Sequence, residues 1–153
     1  MHAILKRVSL VTWIIPFMII FTIYQASAIE QNEIEKAESQ TPARHLVVTY
    51  FHTTFRCPTC HKIEELSAKA VKTHFEDELK SGKVVWQVIN VDEPGNKHFV
   101  TDYSLYSKHL IVSEMKDSKE VRWKDLKDVW TYVKNDQKFD NYVKTEIADW
   151  LKE

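Results

Sequence analysis

The run His45-Leu46-Val47-Val48-Thr49-Tyr50-Phe51-His52, followed after a short connection by Arg56-Cys57-Pro58-Thr59-Cys60-His61, decides the fold of this chain. Its first part is β-branched and aromatic at consecutive positions, the composition of a strand buried on both faces. From Pro58 the period changes. Ile63, Leu66, Ala70, Val71, Phe75 and Leu79 recur at helical spacing, while Lys62, Glu64, Glu65, Lys69, Lys72 and Glu76 mark a wet side. Ser81-Gly82 predicts the helix end. Residues 84–91 (VVWQVINV) read as a second strand. Strand, helix and strand within this length make a right-handed βαβ unit with parallel strands, so the class is α/β.

Toward the C-terminus, Asp92-Glu93-Pro94-Gly95 is a turn. Residues 96–106 are expected to be helical, with Phe99, Tyr103 and Tyr106 on one side. Residues 110–115 read as a third strand, Lys116 to Lys119 as a turn, and residues 120–123 as its hairpin partner. Two helices follow. One carries Leu126, Val129, Trp130 and Val133; the other carries Phe139, Tyr142, Val143, Ile147, Trp150 and Leu151. Stripes at helical spacing are read as core packed on the sheet rather than as a ligand groove. The order β-α-β-α-β-β-α is similar to the thioredoxin arrangement, a three-layer α/β/α fold, here with an extra C-terminal helix.

Toward the N-terminus, Lys6 and Arg7 precede an apolar stretch over residues 8–24, and Ala26-Ser27-Ala28 is a small-x-small site. Residues 1–28 therefore read as a secretory signal peptide, with an uncleaved membrane anchor over residues 8–24 as the alternative. Both place the remainder outside the cytoplasm, in a periplasmic or comparable compartment. Residues 29–44 are polar, with a Thr-Pro break, and read as a linker; residues 45–153 form one domain. Without the leader, 19 basic residues face 22 acidic ones. That balance argues against a nucleic-acid partner.

The chain has two cysteines, three residues apart. A loop that small constrains an unfolded chain little, so a structural staple is a poor explanation. A redox role requires a thiolate, and a helix N-terminus lowers a thiol pKa through its free N–H groups and dipole. Cys57 falls there, and Pro58 suits the first helical position. Arg56 and His61 add positive charge nearby. Cys60 lies one turn further in. Cys57 is thus expected to attack and Cys60 to resolve.

Zinc needs more ligands than one Cys pair, and His98 and His109 are too far apart for a local His pair. Cys57 to His61 also spells C-x-x-C-H, the attachment motif of haem c, with Met115 as a conceivable axial ligand. Two long β-like runs around the motif, and only 2 glycines in the chain, argue against a loop-rich cytochrome. The expectation is therefore a disulfide centre without a further cofactor. A binding module is the alternative, its Cys pair and a histidine holding haem c, a soft metal or trivalent arsenic.

A wider pattern points further. Tyr50-Phe51-His52, Arg56 to Cys60, Ile63-Glu64, Val88 to Pro94 and Asp102 to Tyr106 resemble an exported thioredoxin-like family, the ArsF-type subunit of nitrophenyl compound nitroreductases. The resemblance spans nearly all of residues 45–153. It implies a thioredoxin fold, a functional Cys57–Cys60 pair, and partner proteins in the reduction of nitroaromatic arsenicals. A membrane or periplasmic thiol donor and a partner redox protein or nitroreductase subunit are the implied partners. Reducing a nitro group to an amine takes several electron pairs, and one dithiol supplies one. No G-x-G-x-x-G signature for a flavin or nicotinamide is present.

Two departures from ordinary thioredoxins create expectations. Those proteins carry a buried acid in the first strand about where Phe51 stands, which makes His52 the nearest candidate for proton transfer to Cys60. They also carry a cis-proline before the third strand, where this chain has Ser107-Lys108-His109-Leu110. His109 is therefore expected near the sulfurs, as a proton donor or as the third member of a Cys–Cys–His set, with Lys108 as the alternative occupant.

Overall fold

The computed structural model describes residues 43–153. The leader, its cleavage site and residues 29–42 lie outside the described residues, and so do the expectations placed on them. Among the described residues, no helix is long and apolar enough to cross a membrane.

The strands are β1 (Arg44–His52), β2 (Val84–Asn90), β3 (His109–Lys116) and β4 (Lys119–Asp125). The helices are α1 (Pro58–His74), α2 (Glu76–Lys80), α3 (His98–Asp102), α4 (Val129–Tyr132) and α5 (Asp136–Lys152). One four-stranded sheet has the order β2-β1-β3-β4. β1 runs parallel to β2, with Leu46 opposite Val84, and antiparallel to β3, with Phe51 opposite His109. β3 and β4 form a hairpin whose turn residues Asp117 and Ser118 have φ of 49° and 61°. Two successive positive φ values match the right-handed strand twist, and they do so here without glycine.

Strand alternation divides the core. Leu46, Val48 and Tyr50 of β1 face Ile63, Ala70 and Val71 of α1, together with Phe139, Val143 and Ile147 of α5. The Val, Leu, Ile and Phe side chains among them contribute roughly 1.5–3 kcal/mol each on burial. On the other face, Phe51 and Ile111 pack with Val91 and Leu105. The Phe51 ring lies 5.1 Å from that of Phe99 and 5.2 Å from that of Tyr103. The fold is thus thioredoxin-like α/β with helices on both faces, the second layer being thin.

Several boundaries differ from the sequence reading. β1 starts at Arg44, inside the expected linker. The expected single helix from Pro58 breaks at Phe75, whose φ of −130° and ψ of 34° leave the helical region. The Phe75 ring turns into the core, at 4% exposure. The helix expected over residues 96–106 shrinks to α3, because Ser104 takes a φ of 52° and stops it. Tyr106 consequently leaves the core side and is 83% exposed. The hairpin partner β4 is longer than expected, and α4 is a single turn.

Candidate functional site

β1 delivers the chain to the C-terminal end of the sheet, and the connection after His52 turns it into α1. Cys57 is the N-cap of α1, with extended φ −84° and ψ 161°, and Pro58 begins the helix. The Cys60 N–H donates to Cys57 Sγ at 3.1 Å. One of the helix's free N–H groups is thereby aimed at that sulfur before any thiolate forms. Cys57 and Cys60 are joined as a disulfide, with Cα atoms 5.0 Å apart. Cys57 is half-buried, whereas Cys60 is 2% exposed. The accessible sulfur is thus the one at the helix terminus.

Two residues to which the sequence assigned no role in the site hold this turn. The Tyr50 hydroxyl donates to the Cys60 carbonyl at 2.8 Å. Burial pushes the Tyr50 phenol up to about 12, although the neighbouring Arg56 guanidinium pulls the other way. Arg56 lies 5.9 Å from the Tyr50 ring centroid and forms an ion pair with Glu64 of α1. The positive charge expected beside Cys57 is therefore present but already matched by a carboxylate. Tyr50 was legible as a core strand residue, Glu64 as a wet-side marker of α1, and both as part of the stretches that carry the resemblance. Neither pattern encodes a contact with Arg56. The β1 side chain that faces Cys60 is Tyr50; Phe51, at the position expected for the acid of ordinary thioredoxins, lies on the opposite face.

The histidines separate. His52 Nδ1 donates to the Thr53 carbonyl at 2.9 Å, and its ring stacks near Tyr50 at 6.2 Å. His61 is exposed in the first turn of α1. His109 is buried, but its Nδ1 lies 2.8 Å from Asp125 Oδ2 and its Nε2 accepts from the Tyr106 N–H at 3.4 Å. Both nitrogens are engaged by these two groups. His109 sits opposite Phe51, and strand alternation puts the two side chains on the face turned away from α1. Lys108 is held by its carbonyl, which accepts from Trp130 Nε1 at 3.0 Å. Among the described residues, no group of three or more His, Cys, Asp or Glu could hold a metal ion. Met115 stands at the far end of β3. Strand rise puts it about 20 Å from His109, at the wrong end of the sheet to serve a group held by Cys57, Cys60 and His61.

No protein-family model matches this sequence, and no curated protein does. Solved structures similar to it are thioredoxins. That of Plasmodium falciparum is 19% identical, covers 75% of this chain and 92% of its own, and has a TM-score of 0.41. The reduced Schistosoma mansoni thioredoxin pre-protein is 15% identical, with coverages of 71% and 90% and a TM-score of 0.38. Deadhead, a germline-specific thioredoxin of Drosophila melanogaster, is 16% identical, with coverages of 63% and 79% and a TM-score of 0.37.

Proposed function

We propose that this chain is an exported thiol–disulfide oxidoreductase that carries electron pairs through Cys57 and Cys60. The observation that carries the reading is the asymmetry of the pair: a half-buried sulfur capping a helix, bonded to a buried sulfur one turn inside. In the oxidised chain a donor thiolate attacks Cys57 Sγ, the Cys57–Cys60 bond breaks, and Cys60 leaves as a thiolate. A second donor thiol releases the reduced dithiol. In the forward direction the Cys57 thiolate attacks a partner disulfide, and Cys60 displaces the partner from the mixed disulfide. Tyr50 serves as an anchor here rather than as an acid, since its proton is committed to the Cys60 carbonyl.

Phe55, 80% exposed and two residues before Cys57, offers a partner an apolar contact beside the reactive sulfur. The leader-like N-terminus supports action outside the cytoplasm, fed by a membrane or periplasmic thiol donor. Within that reading the chain would serve as an electron-carrying subunit beside a partner that reduces nitroaromatic, arsenical compounds. The resemblance over roughly residues 45–153, carried by motifs between residues 50 and 106, supports this, and the single electron pair per dithiol requires the partner.

The test is trapping. In the native host, Cys60→Ser should accumulate a mixed disulfide with the partner through Cys57, and Cys57→Ser should not. Mass spectrometry of the adduct identifies the partner. An adduct formed only by Cys57→Ser would reverse the roles, and no adduct with either variant would refute the exchange reading.

A further inference from the structure

We propose that the outer edge of β2 is a self-association surface, on which a second copy of this chain pairs antiparallel about a two-fold axis at Gln87. Among the described residues, the sheet ends in two edges of opposite character. β4 (KEVRWKD) carries Lys119, Glu120, Arg122, Lys124 and Asp125. Charge of that density guards an edge against added strands. β2 (VVWQVIN) carries no charge and no proline. Among the described residues it has no partner beyond β1. Val88, next to its central residue, is 38% exposed.

The hydrogen-bond phase of β2 fixes what the edge presents. The Leu46 N–H donates to the Lys83 carbonyl at 2.9 Å, and the Val91 N–H donates to the His52 carbonyl at 2.8 Å. With Leu46 opposite Val84 in a parallel ladder, the odd-numbered residues bond inward. The N–H and C=O groups of Val84, Trp86, Val88 and Asn90 therefore point away from the sheet.

Those four residues are symmetric about Gln87. An antiparallel copy centred there sets Val84 opposite Asn90 and Trp86 opposite Val88, so every outward backbone group finds a partner. Trp86 against Val88 is an aromatic–β-branched pair, a favourable cross-strand combination, and no like charges meet along the strand. Beyond each end, the exposed Lys83 of one copy falls one residue from the exposed Asp92 of the other, an attractive pair. A sequence that pairs with itself in this way favours a second copy over an unrelated strand. Because the two halves run antiparallel, the two Cys57 sites lie at opposite ends of the joined sheet. Both remain accessible, so the pairing stands apart from the redox reading.

The test uses the full chain with Cys57→Ser and Cys60→Ser, so no native thiol contributes. Gln87→Cys in that background should form an intermolecular disulfide under mild oxidation. The central pair would bring Cα atoms to about 4.5 Å, within disulfide reach. Val121→Cys on β4, at a position 51% exposed, controls for collision. A dimer yield at Gln87→Cys about tenfold above that control supports the proposal; equal yields, no dimer, or an adduct with a different protein overturn it. Adding Val88→Pro removes an outward N–H without touching the β1 ladder and should cut the yield about tenfold. Val88→Lys should do the same through charge, covering the case in which the proline variant fails to fold. A yield unchanged by the folded variants overturns the proposal.

Discussion

The two ends of the sheet use the same kind of interaction to different ends. At the end remote from the cysteines, Glu114 is 2% exposed and meets Arg44 Nε and Arg122 Nε, each at 2.5 Å, with Lys116 at 3.3 Å. Arg44 reaches on to the Trp150 carbonyl at 2.8 Å, and Arg122 lies over the Trp150 ring at 4.4 Å. One carboxylate thereby ties β1, β3 and β4 to the last turn of α5. At the cysteine end, Arg56 has one carboxylate, Glu64, and one aromatic neighbour, Tyr50. The first arrangement holds elements together. The second sets the charge beside a sulfur. Surplus cations around a buried acid make a clamp, whereas a matched pair beside a thiol leaves its reactivity open to adjustment.

The largest effect that would break this contrast is chemical. Cys57→Ser should abolish thiol–disulfide exchange, measured with a small disulfide substrate, while leaving the urea midpoint of the reduced chain unchanged within error. At the opposite end, Glu114→Gln should cost about 2 kcal/mol in urea unfolding. That is the low side for a buried pair, because Arg44 and Arg122 are 35% and 40% exposed and rehydrate. Exchange activity should be retained.

The same carboxylate predicts a pH signature. Burial opposes its charge, but hydrogen bonds from Arg44, Arg122 and Lys116 prevail and hold it at about 2 against an ordinary 4.5. A depressed folded value means stability that is present above about 4.5 and lost as pH falls toward about 2. Unfolding midpoints followed from pH 5 to 2 should show that loss in the parent, and less of it in Glu114→Gln. An equal slope in both would place the titration elsewhere.

Two smaller effects sharpen the picture at the cysteine end. Tyr50→Phe should cost about 1 kcal/mol, the net worth of one buried hydrogen bond. It should also increase hydrogen exchange at the first turn of α1, and a change confined to α5 would contradict the anchoring role. Glu64→Gln should cost less than about 0.5 kcal/mol. It should, however, free the Arg56 charge and lower the Cys57 thiol pKa, read as faster alkylation below neutral pH. An unchanged alkylation profile would show that Arg56 acts on Tyr50 alone.

Much of this was legible because it is periodic. Consecutive β-branched and aromatic residues marked β1 and β2, helical spacing marked α1 and α5, and Cys57-Pro58 marked the helix start. What escaped was set by partners distant in sequence or by single backbone angles. Phe75 reads as a core residue whether the helix continues or breaks there, so its spacing carries no boundary. Ser104 gives no hint of its left-handed φ. For His109 the strand end was legible and the face was not. The one-residue phase that decides its face is fixed by pairing with Phe51, which a single sequence does not display. Glu114 collects Arg44 from 70 residues away, and nothing local announces it.

The first strand of the domain is also an interior strand, lying between β2 and β3. Synthesis proceeds from the N-terminus, so residues 44–52 leave the ribosome with both flanks bare and wait for β3, which begins at His109. In that interval this apolar, β-prone segment has no native neighbour on its β3 side. Any holding factor, or any translocation machinery that keeps the chain extended, would act on this stretch first. Slowing translation between residues 91 and 109 should therefore raise the insoluble fraction more than an equal delay placed after β3 is complete.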